Sequence, residues 1–193
     1  MGIQRSVGEV LNRSLIVAVA SAIATFLLMV VVASEAWAYN LHGCEYDNNS
    51  ISPIQYRFFS VGDNYENASQ GAANAWNGVS VPGRFEEHST SLDPEVNITD
   101  GTTSTNLWAF TSWGCNGGRY SGNEVNVEFY TNNMSGLSAY EKKIVAEHEL
   151  GHAYGLDDTA NQTGCRVMRT GSHKFTCGTM PASDDISGVQ AIY

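Results

Sequence analysis

The chain has 193 residues, with 10 Lys and Arg against 20 Asp and Glu, and a net charge of −10. That is enough for one domain with its own core. The acidic balance argues against nucleic acid or an anionic membrane surface as a partner.

Residues 1–38 read as a secretory signal peptide. Arg5 and Arg13 make a basic start, Leu15 to Ala33 is apolar but for Ser21 and Thr25, and Ala36-Trp37-Ala38 offers a cleavage site before Tyr39. The apolar run is nearly long enough to span a bilayer, so a retained anchor is the alternative. Residues 39–193 then form one secreted, monomeric domain, without a membrane segment once the signal is removed. Tyr39 to Ser52 is a polar, turn-rich arm. Pro53 to Ser60 alternates as a strand does. Ala68, Ala72, Ala75, Trp76 and Val79 fall at helical spacing, which predicts a helix over Asn67 to Val79. Further strands are expected at Arg84 to Ser89, Glu95 to Thr99, Thr105 to Trp113 and Asn123 to Tyr130, the last with Val125, Val127 and Phe129 on one face.

Ser138 and Glu141 form a capping box, which predicts a helix from Ala139 to about Tyr154. It carries His148-Glu149-x-x-His152. Two imidazoles four apart lie on one helix face, about 6 Å apart along the axis, and can grip one Zn²⁺. Glu149 between them can reach a water on the metal. Gly155 lets the helix end and the chain turn sharply, so that a third ligand can come back. Asp157 and Asp158 both follow. Beyond them the chain reads as loop until a last helix near Ser183 to Ile192. Four cysteines, Cys44, Cys115, Cys165 and Cys177, predict two disulfides in an exported chain, with three pairings open. Cys165–Cys177 is favoured because it closes a short loop. Cys44–Cys115 would pin the arm to the sheet. No C-x-x-C spacing supports a cysteine metal site.

HELGHAYGLDD, His148 to Asp158, resembles the long metzincin zinc motif, and DDISGVQAIY, Asp184 to Tyr193, resembles the C-terminal helix of the matrixin-type metzincins. The order of elements is similar over most of Pro53 to Tyr193. The resemblance implies an α+β fold, with one twisted, mostly parallel sheet of about five strands packed on two helices, a zinc helix, a Met-turn and a C-terminal helix. It implies a secreted zinc endopeptidase holding one catalytic Zn²⁺ on His148, His152 and Asp158, with Glu149 as general base toward the zinc-bound water. Asp158 departs from the usual third histidine, as in the secreted proteases called snapalysins. Asp157 is the competing ligand, one residue short of the motif spacing. Met168 is the expected Met-turn residue, with Met180 as its rival. No counterpart exists for a matrixin structural zinc site, and nothing in the sequence supports calcium. Too few residues separate Ala38 from the first strand for a cysteine-switch propeptide. A protein or peptide substrate would lie along an edge strand near 105–113, with residues 169–176 walling the pocket and His173 in that wall rather than on the metal. A secreted, non-catalytic protein-binding module on the same fold is the alternative; an amidase acting on non-peptide substrates fits less well.

Overall fold

The computed structural model describes residues 39–47, 51–88, 94–121, 125–159, 164–176 and 181–193. The expected signal peptide, Cys177, Met180 and the side chain of His173 lie outside the described residues.

The N-terminal arm contributes a two-residue strand β1, Asn40–Leu41, before β2, Ile54–Phe58. Helix α1 follows at Asp63–Asn77. It begins four residues before the expected Asn67, because its first turn is polar and gives no apolar signal. Asp63 and Glu66 complement the helix dipole there, and Asp100 Oδ2 accepts the N–H of Gly62 at 2.8 Å. It stops at Asn77 rather than Val79. The Asn77 amide bonds both the N–H and the carbonyl of Phe85, each at 2.8 Å, and so ties the helix end to β3, Phe85–Glu87.

Strands β4, Val96–Gly101, and β5, Ala109–Ser112, are followed by a short hairpin of β6, Cys115–Asn116, and β7, Arg119–Tyr120. Strand β8 spans Val125–Tyr130. Five of these strands form one sheet in the order β3-β2-β4-β8-β5; the first four are mutually parallel, and β5 runs antiparallel to β8 at the edge. Their inward side chains, among them Ile54, Val96, Ile98, Val125, Val127 and Phe129, are buried in the core. This is the expected α+β architecture. The strand expected from Thr105 starts only at Ala109. A four-residue helix α2, Thr131–Met134, intervenes: Asn133 donates to the carbonyls of Thr105 and Leu107, and Asn132 to that of Thr103. Those carbonyls are taken by side chains, so no ladder forms there.

Helix α3, Ala139–Ala153, opens on the capping box: Glu141 N–H donates to Ser138 Oγ, and Ser138 N–H to Glu141 Oε2 at 2.8 Å. Small residues on α1, Ala68, Ala72 and Ala75, let the two helices approach closely, and the Trp76 indole N–H donates to the Glu147 carbonyl at 2.9 Å. A strand β9, Leu156–Asp157, absent from the sequence reading, pairs antiparallel with β1. A 3₁₀ turn spans Ser172–Thr176, and helix α4 closes the chain at Ser183–Ile192. Cys44 and Cys115 form a disulfide. It joins the arm to the β6–β7 hairpin rather than to the main sheet, because Cys115 lies beyond the end of β5. Cys165 is disulfide-bonded as well. Among the described residues no helix is long and apolar enough to cross a membrane.

Candidate metal centre

His148 and His152 sit one turn apart on α3, both buried, with ring centroids 4.8 Å apart and planes at 80°. Each ring is fixed from behind by a backbone carbonyl. His148 Nδ1 donates to Val167 O at 2.8 Å and His152 Nδ1 to Leu156 O at 2.8 Å. A carbonyl can only accept, so each Nδ1 carries a proton, and in the neutral ring that leaves the lone pair on Nε2, the state a metal ligand needs. The two Nε2 atoms lie 3.2 and 3.9 Å from Asp158 Oδ1. The three ligand atoms fall within 4.8 Å of one another. Two imidazoles and one carboxylate are a donor set that suits Zn²⁺.

Asp158 reaches this point because α3 ends at Ala153, capped by Tyr154, and Gly155 turns the chain with φ 104°. A Cβ on Gly155 would also lie 2.8 Å from the Cys44 carbonyl. Asp157 also lines the cleft but is not one of the three converging ligands: its Oδ1 accepts the backbone N–H of Asp158 at 2.8 Å. Thr159, buried, clamps the next step by donating N–H and Oγ–H to the Met168 carbonyl at 2.9 and 3.1 Å.

Met168 is buried in a turn with Val167, beneath α3. A Cβ at Gly151 would collide with its sulfur. This glycine lets the helix settle onto the thioether between the two histidines. Asp185 on α4 holds the turn. Its buried carboxylate accepts N–H groups from Val167 at 3.0 Å, Met168 at 3.2 Å and Ala182 at 2.8 Å. Burial pushes its carboxyl above the usual range, and those bonds oppose the shift. Asp184 beside it pairs with Arg166. Nothing in the local sequence of this tail marks Asp185 for this role.

Glu149 faces the cleft between α3 and the edge strand β5. Its Oε2 accepts the Thr111 hydroxyl at 2.6 Å. Thr111 was missed; its signal is a polar residue at an inward position of a strand, alternating with exposed Phe110. The cleft has a volume of about 540 Å³ and is lined by Trp108, Phe110, Val145 and Thr170 as well as the histidines, Glu149 and Asp158. Trp108 packs on Phe175 of the 3₁₀ turn, with ring centroids 5.0 Å apart. His42 was also missed. It comes from the arm, stacks on Trp113 at 4.0 Å, and its Nε2 lies 2.9 Å from the carbonyl of His152. The Tyr120 hydroxyl donates to that same carbonyl at 2.9 Å. Burial lowers the pKa of His42, opposed by its bond to the His152 carbonyl.

No family model matches the sequence, and no curated protein matches it. Similar solved structures include the GM1-bound form of the ECX AB5 holotoxin, at 18% identity over 80% of this chain and 86% of that one, with a TM-score of 0.48. Myroilysin is 17% identical over 66% of this chain, with a TM-score of 0.46. High choriolytic enzyme 1, a hatching enzyme zinc-protease from Oryzias latipes, is 22% identical over 60% of this chain, with a TM-score of 0.38. The chain spans 59% of the length of myroilysin and 49% of that of the hatching enzyme.

Proposed function

We propose that the chain is a secreted zinc-dependent endopeptidase of matrixin-like metzincin type, its catalytic domain at 39–193 released from a signal peptide at 1–38. The carrying observation is the convergence of His148 Nε2, His152 Nε2 and an Asp158 carboxylate oxygen within 4.8 Å, beside a buried glutamate in an open cleft. When bound, zinc lowers the pKa of water toward about 7 and polarises a carbonyl. Glu149 takes the proton of the attacking water and passes it to the leaving amine. Thr111 holds that carboxylate toward the cleft through its hydroxyl. The side chain of Asp158 is 47% exposed, so the ligand set stays open on the side facing solvent. Strand β5 is the edge of the sheet and one wall of the cleft. An extended peptide running antiparallel to it would be held by backbone hydrogen bonds, with side-chain selection left to the pockets. A binding module would have no use for a base fixed at this position, which favours the enzyme.

The test is metal analysis with a casein digestion. The purified domain should carry one zinc per chain, lose activity to a chelator and regain it with Zn²⁺. Glu149→Gln should keep the zinc while turnover falls by about 10²–10⁴-fold. A metal-free preparation that still digests casein would refute the proposal.

A further inference from the structure

The turn that carries Asp158 is held by the N-terminal arm. Strand β1 pairs with β9, Asn40 opposite Asp157 and Leu41 opposite Leu156. The Asn40 amide donates to the Asp158 carbonyl at 2.7 Å, and the His42 N–H to the Gly155 carbonyl at 3.2 Å. His42 Nε2 and the Tyr120 hydroxyl both meet the His152 carbonyl. The Cys44 carbonyl fills the space behind Gly155. A pair of two-residue strands is too short to persist by itself, so the arm needs an anchor at its other end. There, Glu45 N–H donates to Gly118 O at 3.1 Å, Tyr120 N–H to Glu45 O at 3.0 Å, and Arg119 pairs with Glu45 at 3.4 Å. A partly exposed ion pair adds little, and two such bonds add modestly. Tyr46 adds more: it is buried on Tyr120 with ring centroids 4.5 Å apart, donates its N–H to the Tyr193 hydroxyl at 3.0 Å and accepts Arg119 Nη1 on its carbonyl at 2.9 Å. The covalent anchor is Cys44–Cys115. Cys44 is buried, whereas Cys115 is exposed in the hairpin and open to attack by an external thiol.

We propose that the N-terminal arm is the positioning element for Asp158 and His152, and that the Cys44–Cys115 disulfide makes the zinc affinity of the site depend on redox state. This rests on the zinc-site reading above. A dithiol supplies the electrons. Its thiolate attacks Cys115 Sγ, the S–S bond breaks, and Cys44 leaves as a thiolate that takes up a proton. The second thiol then attacks the mixed disulfide, releasing Cys115 as a thiol and the reductant as its own disulfide. The protein gains two electrons and two protons. The arm then keeps its hydrogen bonds to the hairpin and the buried Tyr46 packed on Tyr120, and the ligand turn loses the covalent part of its backing.

The experiment measures zinc affinity by competition with a chromogenic chelator, with near-UV circular dichroism as the check on folding. Four preparations of the 39–193 chain are compared: oxidised wild type, the double variant Cys44→Ser/Cys115→Ser, and oxidised Asn40→Ala and Asn40→Gln. The double variant should bind zinc about tenfold more weakly than wild type, the scale of changes that disturb the support of metal ligands. Asn40→Ala should weaken binding several-fold with the disulfide intact, and Asn40→Gln should recover part of the loss. A dithiol should bring wild type down to the level of the double variant, reversibly, while moving the double variant less than twofold. That last comparison separates this disulfide from the one at Cys165. A folded double variant that binds zinc as wild type does overturns the inference. So does an equal response of both proteins to the dithiol. If the double variant does not fold, wild-type affinity in Asn40→Ala together with no dithiol effect on wild type overturns it. Absence of zinc binding in the oxidised wild type overturns the zinc-site reading itself.

Discussion

The two halves of the candidate site are held in different ways. His148, Glu149 and His152 ride on α3, a capped helix packed along α1, and their relative positions follow from helical spacing. Asp158 and Met168 ride on turns, and their positions follow from bonds made by Asn40, Asp185 and Thr159. The helix half is rigid by local geometry. The turn half is rigid only while residues remote in the chain stay in place. Tolerance to mutation should therefore differ between the halves, most of all among residues that never touch the metal.

The sharpest break of this comparison is at the ligands. His148→Ala, His152→Ala and Asp158→Ala should each weaken zinc binding by more than about 100-fold, the upper range for residues that only orient ligands. Asp157→Ala should cost far less, because its carboxylate faces its own turn. Asp158→His should bind zinc partially, since the loop must shift to bring an imidazole to bonding distance. Severe loss in Asp157→Ala beside a near-normal Asp158→Ala would move the ligand by one residue.

Next comes Asp185→Asn, which never approaches the cleft. One amide oxygen cannot serve three donors spread over two carboxylate oxygens. Stability should fall by about 3 kcal/mol, read from the denaturant midpoint, and zinc affinity should fall with it. A stability loss with unchanged zinc affinity would show that the turn of Val167 and Met168 is not coupled to His148 through the Val167 carbonyl. Thr111→Val tests the helix half. Turnover should fall about tenfold, the scale of one hydrogen bond to a charged group, with KM and zinc content unchanged. An equal fall through KM would assign Thr111 to substrate contact instead.

The smallest effect is expected at the start of α3. Ser138→Ala should cost about 1 kcal/mol and leave zinc affinity alone. Hydrogen bonds from the Ser138 backbone and hydroxyl hold the Glu141 carboxyl below its ordinary pKa. A depressed carboxyl stabilises the fold at pH above its unfolded value and loses that contribution as pH falls through its folded one. Acid melts of wild type and Glu141→Gln should therefore converge at low pH. Curves that stay parallel would show that the capping carboxylate contributes nothing in solution.

The same division explains what could be read from the sequence. The capping box, the histidine pair, the inward valines of β8 and the glycine turn are local patterns, and each lies where expected. The start of α1 was hidden because a polar first turn carries no periodicity. The beginning of β5 was misplaced because Asn132 and Asn133 take the backbone carbonyls that a strand would have used. His42, Tyr120, Thr111 and Asp185 could not be assigned, since each acts on a backbone or side-chain group many residues away. The pairing of β1 with β9 was invisible for a simpler reason: two residues contain no alternation to detect.

Gly151 stands between the two histidines on α3. Here any side chain on it would occupy the place of the Met168 sulfur. The two positions are therefore joined in sequence space. Gly151→Ala alone overfills the site, a fault that typically costs about 1–3 kcal/mol, and Met168→Ala alone leaves a hole. Only a paired exchange, with a side chain at 168 that vacates the place of the sulfur, admits a Cβ at 151 without a clash. A lineage can cross from one packing to the other only through an intermediate that is worse than either end, so drift at these two sites should be slow and correlated.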